Sequence, residues 1–265
     1  MAMVWPRPRY VVGGGPGEIA LVALSPVKLP DPMPVSRRRH GMPDEGEGAT
    51  AIALVARDRA DDPAWFTEQV VAPFADLIAS DLGPSAAAGA LAADHAYVIE
   101  GQVRDPDDLG HVQAAWALAK CVCEEGATVV IDVYAARAHL GADVAALAPD
   151  RAFDVMHEVT LFFDETGGGK LAAWSLGLRK FGRPDLVVLD VAPDSATEAA
   201  LVLRDVATAL ADGDRIEPGD AIEAPSGRKL VAEAFDPARA PIVAVEGAAI
   251  VLLAESGTAT SLPVA

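Results

Sequence analysis

Six residues, DETGGG at 164–169, leave this chain a narrow choice of folds. They separate two apolar runs that read as strands, Val155 to Phe163 and Lys170 to Arg179. A link so short and so rich in glycine joins neighbouring strands as a hairpin, whereas a parallel pair needs a crossover of about a dozen residues or more. The pair is therefore antiparallel, which argues against a doubly wound parallel sheet.

The rest of the chain extends this pattern. Tyr10 to Val12 and Glu18 to Ser25 read as a second hairpin around GGGPG, and residues 26–48, rich in Pro and Gly, read as a long exposed loop, partly disordered. Residues 1–48 are thus set apart as hairpin and loop from a single α+β domain over 49–265. Thr50 to Arg57 reads as a buried strand. Asp62-Pro63 supplies the N-cap and first residue of a helix running to about Leu82, with Trp65, Phe66, Val70, Phe74, Leu77 and Ile78 at helical spacing. GPSAAAGALAAD reads as a small-residue loop before a strand from His95 to Val103. A helix from Leu109 to Glu125 is stopped by Gly126 and leads to a strand, Ala127 to Tyr134. Further on come a strand from Leu186 to Val191 and a helix from Ala196 to Ala211 capped by Asp194 or Ser195. Short closing strands follow at Lys229 to Glu233, Ile242 to Val245 and Ala249 to Leu253, with Gly247 in the last turn. The expected class is α+β: a mixed, largely antiparallel sheet with about three main helices packed against it.

With 39 Asp and Glu against 21 Lys and Arg, the formal net charge is −18. Such a surface repels nucleic-acid phosphates and anionic lipid, so neither nucleic acid nor a membrane is expected as a partner. The N-terminal stretch lacks the apolar run of a signal peptide, and a soluble, cytoplasmic protein is expected. Cys121 and Cys123 lie two apart on a helix, about 200° around it, and cannot bond to each other.

Motifs of known chemistry fail on context. GGGPGE at 13–18 lacks the GK[ST] ending of a phosphate loop, and a strand follows where a helix is required. His40, His95, His111, His139 and His157 show no metal-ligand spacing, so neither metal nor cofactor is expected. His157 and Glu158, as strand neighbours, would point to opposite faces; His95 could meet His157 across the sheet with Asp132 nearby, an arrangement for a metal or acid–base centre of which the sequence gives no sign. No serine stands in a nucleophile motif.

One corner stands out, WSLGLRKFGRPDLVVLD at 174–190, because it gathers Arg179, Lys180 and Arg183 in an acidic chain. Gly177 leaves room for an approach to the backbone beside Arg179, and Gly182 suits positive φ before Pro184. Asp185 can bond back to the turn or meet an arginine. Solvation and pairing with surface acids explain most of this. The alternative is a small basic pocket formed by Ser175, Gly177, Arg179, Lys180, Arg183 and Asp185, with His157 nearby, for a carboxylate or phosphate.

At this corner the sequence resembles an uncharacterised bacterial domain family with a Gly-Met/Leu, Phe-Gly-x-Pro-Asp/Glu-Leu signature. The signature stands here as Gly177-Leu178 and Phe181-Gly182-Arg183-Pro184-Asp185-Leu186, with an Ala-rich helix, Ala114 to Glu125, before the strand TVVIDVYAA. The resemblance covers about Thr50 to Ala211, and departs from the family at Ser175, where Thr is usual. It implies a fold and a bacterial origin and brings no catalytic residues with it. The expected function is binding rather than turnover: an accessory, immunity-like protein whose acidic surface meets a basic partner. The rival is an enzyme or binding protein for a small anionic ligand, with Arg179 and Arg183 as clamps and His157 or His95 as general base. A homo-oligomer built through a sheet edge or an apolar helix face is a third expectation.

Overall fold

The computed structural model describes residues 3–44, 47–223, 227, 229–240, 242–245 and 248–254. Its first sheet holds β1 (Pro16–Ser25), β2 (Ile52–Asp58), β3 (His95–Arg104), β4 (Val129–Asp132) and β5 (Arg137–Leu140), in the order β2-β3-β1-β4-β5. All its pairings are antiparallel. Ile19, Leu21 and Ala23 of β1 enter one core and Val22 and Leu24 another, so this strand is covered on both faces. A strand buried on both faces cannot sit in an isolated hairpin. Tyr10 to Val12 accordingly forms no strand, and β1 pairs along its whole length with β3. The segment expected to stand apart at the N-terminus supplies the middle of the sheet.

The Pro- and Gly-rich segment is also better fixed than expected. Ser36 caps a helical turn, α1 (Arg37–His40), which ends on Gly41 at φ 79° and buries His40 against Glu124 at 3.3 Å. A second turn, α2 (Glu47–Thr50), leads into β2. β2 is a half-exposed sheet edge rather than a buried strand.

One face of the first sheet is covered by α3 (Pro63–Phe66), a π-helical turn (Thr67–Val71), α4 (Ala72–Leu82) and α5 (Pro84–Leu91). Asp62 caps α3 by accepting from the Trp65 amide at 3.1 Å, as the sequence predicts. The stretch expected to be a small-residue loop is α5: its alanines are the strongest helix formers, and Pro84 is tolerated in a first helical turn. The opposite face is covered by α6 (Gly110–Glu124), whose Val112, Ala115, Trp116 and Ala119 meet Leu21, Tyr97 and Ile99 in one core.

After β5 come two short helices, α7 (Gly141–Ala145) and α8 (Val155–Glu158). The second sheet then runs β6 (Thr160–Gly167), β7 (Lys170–Leu176), β8 (Asp185–Val191), β9 (Ala221–Glu223), β10 (Lys229–Ala234) and β11 (Ala249–Ala254), in the order β6-β7-β8-β11-β10-β9. β6 and β7 form the expected hairpin, and the single parallel contact among the described strands is β11 on β8. α9 (Ala196–Ala211) packs Val202, Leu203, Ala207 and Leu210 into the core shared with the first sheet. The α+β class and the largely antiparallel pairing are as expected, with the strands divided between two sheets. Val155 to Phe163 is not one strand, because Asp154 caps α8 by accepting from the Met156 amide and turns 155–158 into helix. Ile242 to Val245 is irregular, and Gly247 lies outside the described residues. Among the described residues no helix is long and apolar enough to cross a membrane.

Candidate functional site

The cation-bearing corner is the joint between the two sheets. It leaves β7 at Gly177 (φ 119°), makes a 3-10 turn over Leu178–Phe181, and passes Gly182 (φ 64°) into β8. Leu178 and Phe181 are wholly buried, and the turn contacts β1 on one side and α9 on the other. Space beside Gly177 is already taken: a Cβ there would collide with the Glu158 carbonyl oxygen. At Gly182 a Cβ would meet the carbonyl of Gly15, whose amide donates to Gly182 O at 3.0 Å. Gly177 therefore admits the chain's own backbone rather than a ligand, and the GGGPG stretch serves the same close crossing.

Each cation of the corner reaches out of the second sheet. Lys180 is 1% exposed, with Nζ 2.5 Å from Asp132 Oδ2 on β4 and 2.7 Å from Glu158 Oε2 at the end of α8. Glu158 Oε2 also accepts from Trp116 Nε1 at 2.9 Å, and Asp132 Oδ1 accepts from the Ala135 amide at 3.1 Å. Burial opposes every charge here. It is outweighed at Lys180 by the two carboxylates, which hold the ammonium above its ordinary range, and at Glu158 by Lys180, which holds that carboxyl low. Asp132 is raised, by burial first and then by the charge of Glu158. His111 Nε2 donates to the Lys180 carbonyl at 2.7 Å, and burial lowers that imidazole to about 4.

Arg179 places Nε 2.5 Å from Glu18 Oε2 on β1 and its guanidinium 4.6 Å from the centre of the Tyr134 ring. Arg183 gives its fork to main-chain oxygens, Asp214 O at 2.8 Å and Gly213 O at 2.9 Å, and lies 3.6 Å from Asp105. Ser175 Oγ donates to Asp185 Oδ1 and accepts from the Leu186 amide. Asp185 Oδ1 also accepts from the Leu178 amide, yet burial raises this carboxyl to about 7.

His157 stands apart from these residues. At the end of α8 its ring lies parallel to that of His139, 6.1 Å away, and both rings meet Trp116 edge-on. Burial lowers both imidazoles, His139 to about 4. The expected meeting of His157 with His95 does not occur, because His95 Nδ1 pairs with Asp58 on β2. Ser25, His95 and Asp58 lie in one row across β1, β3 and β2, but buried Ser25 donates its hydroxyl to Val27 O at 2.7 Å. That row is not a catalytic triad. Sequence reasoning missed Trp116 and Glu18, gave His139 no role, and set Glu158 aside as a strand neighbour of His157, whereas both lie on α8. The signal for His139 was VVIDVYAARAHL, a hairpin whose tight link places it beside Val130 and Arg137 beside Asp132; Trp116 carried none beyond its place on a helix.

Outside the sealed centre, a pocket of about 320 Å³ is bounded by Glu18, Arg179, Gly182, Arg183 and Asp185. It unites three of the predicted site residues, but faces two acids with Arg179 while the Arg183 fork points elsewhere. Among the described residues no group of three His, Cys, Asp or Glu is placed to hold a metal ion. Comparison with protein-family models, curated proteins and solved structures finds no match, so the Gly177 to Leu186 signature is read from its own geometry.

Proposed function

We propose that the protein acts by binding, as an accessory, immunity-like protein whose acidic surface meets a basic protein partner. The reading rests on where the charges lie. The chain carries −18, yet Arg7, Lys120, Lys180 and Arg183 are all buried. Arg7, for example, donates to Pro106 O at 2.6 Å, Leu210 O at 2.9 Å and Ala211 O at 3.0 Å. Buried cations still count in the net charge but do not stand beside the exposed acids, and the net negative field raises association rates with a basic partner and weakens as salt is added. The test is capture of a partner from the native host at low and at high salt, followed by its kinetics on the purified pair. Salt-sensitive association is expected; capture that ignores both salt and alanine replacements spread over the acidic surface overturns the reading.

A second reading, a small anionic ligand held at Arg179, is favoured by the pocket beside that residue. Titration of the protein and of Arg179→Gln with inorganic phosphate and with citrate tests it. A melting-point rise lost in the variant supports the site, and no rise in either sinks it.

A further inference from the structure

A groove of about 460 Å³ runs between α9 and β9. Its floor is apolar, formed by Val206 and Ala209 of α9, Ile216 of the connecting segment and Ile222 of β9. Ile216 belongs to the shared core, and Val206 and Ile222 pack against it, so this floor is core surface left accessible. The rim is acidic and exposed: Asp205 on α9, with Asp220 and Glu223 at β9. The two arginines that border the groove are occupied, Arg9 by Asp214 at 2.5 Å and Arg215 by Glu217. Asp205 pairs with its neighbour Arg204 at 2.8 Å, an exposed pair of small worth. Asp220 accepts from the Glu217 amide at 2.8 Å, which leaves its charge unneutralised.

β9 adds a third property. Among the described residues it is the terminal strand of the second sheet, and a terminal strand offers main-chain donors and acceptors to an incoming extended segment. A second acidic face differs. On the helical layer of the first sheet, Glu68 and Asp76 are also exposed, but that layer is a helix surface rather than a sheet edge.

We propose that this groove docks an extended segment of a partner protein in which Lys or Arg alternates with apolar residues. The apolar side chains would rest on Val206, Ile216 and Ile222, and the cations would meet Asp205, Asp220 and Glu223. Period-two alternation is what a strand beside β9 requires, since one face then meets the floor and the other the rim and water. The inference rests on the basic-partner reading and assigns it a place.

The probe is a fluorescein-labelled peptide with Lys and Val in strict alternation, compared by anisotropy at low salt with a peptide of the same composition whose lysines are grouped together. Two charge reversals of equal size separate the groove from the field: Asp205→Lys with Glu223→Lys, and Glu68→Lys with Asp76→Lys. These positions are exposed, and circular dichroism checks that the fold is kept. Ala209→Gln fills the floor without altering charge. The alternating peptide should lose about tenfold or more in affinity with the groove pair and at least about threefold with Ala209→Gln, but about twofold or less with the distal pair. The grouped peptide should bind the unaltered protein about tenfold more weakly. Equal losses from both charge pairs, or no preference between peptides, would overturn the groove and leave the acidic surface as a diffuse attractor. Absence of salt-sensitive binding to the unaltered protein would overturn both readings.

Discussion

The Lys180 centre and the α9–β9 groove are built from similar residue types and put them to opposite uses. In the centre, Lys180, Asp132 and Glu158 are withdrawn from water and bonded to one another. At the groove, Asp205, Asp220 and Glu223 remain in water beside an apolar floor. Desolvation of an ion costs several kcal/mol unless partners replace the lost water, so buried charge is committed to structure. Charge left in water has made no such commitment and remains available to a partner. The segment with the most conspicuous cations is on this view the rivet of the fold, and the binding surface lies where the sequence attracts least notice.

The largest effect expected from this contrast is at Lys180. Lys180→Met leaves two carboxylates buried without their cation and should lower the urea-unfolding free energy by about 3–5 kcal/mol. Adding Asp132→Asn and Glu158→Gln should recover most of that loss, and a cost of the single change below about 1 kcal/mol would break the distinction between sealed and open charge. Next is Gly177→Ala, which combines φ 119° with a collision against the Glu158 carbonyl; a loss of about 1–3 kcal/mol is expected by the same measurement. A neutral result would mean that the joint is looser than the burial of Phe181 indicates.

Asp185 sharpens the comparison through pH. Folded, it holds its proton up to about 7 against an ordinary value of 3.8, so its contribution to stability falls as pH rises from about 4 to 7. His111 and His139 run the other way. Both are lowered from 6.5 to about 4, so the stability they carry is lost as pH falls between those values. Asp185→Asn keeps an acceptor for Ser175 and Leu178 and removes only the first trend. Its melting temperature should rise with pH across that window more steeply than that of the unaltered protein, and parallel profiles would show that Asp185 is not set apart by burial. Smallest of all, Asp205→Asn and Glu223→Gln should each shift unfolding by about 0.5 kcal/mol or less. A larger change would place the groove acids with the structural charges.

What the sequence made legible was local. The DETGGG hairpin, the Asp62 cap and the limits of α9 follow from residues within a turn or two of one another. The corner was recognised as unusual for the right residues, but its purpose depended on partners far along the chain, Glu18 lying 161 positions from Arg179. Nothing local announces that β1 lies between β3 and β4, and without that order Asp132 and Glu18 cannot be placed beside the corner. α8 was obscured because its apolar residues run into those of β6, although Asp154 carried the capping signal. The groove left no motif at all, since its floor and rim come from a helix face and a three-residue strand that meet only in the folded chain.

The position of β11 has a consequence for how the polypeptide is made. The first sheet takes its central strand from residues 16–25, which leave the ribosome before the other strands of that sheet, whereas the second takes β11, residues 249–254, between β8 and β10. During translation the first sheet can close around β1 as soon as β5 has emerged. The second must wait, its hairpin of β6 and β7 extended by β8 but separated from β9 and β10 until β11 arrives. A nascent chain stalled before residue 249 would carry two unfilled sheet edges beside a completed neighbour, a state for a chaperone to shield.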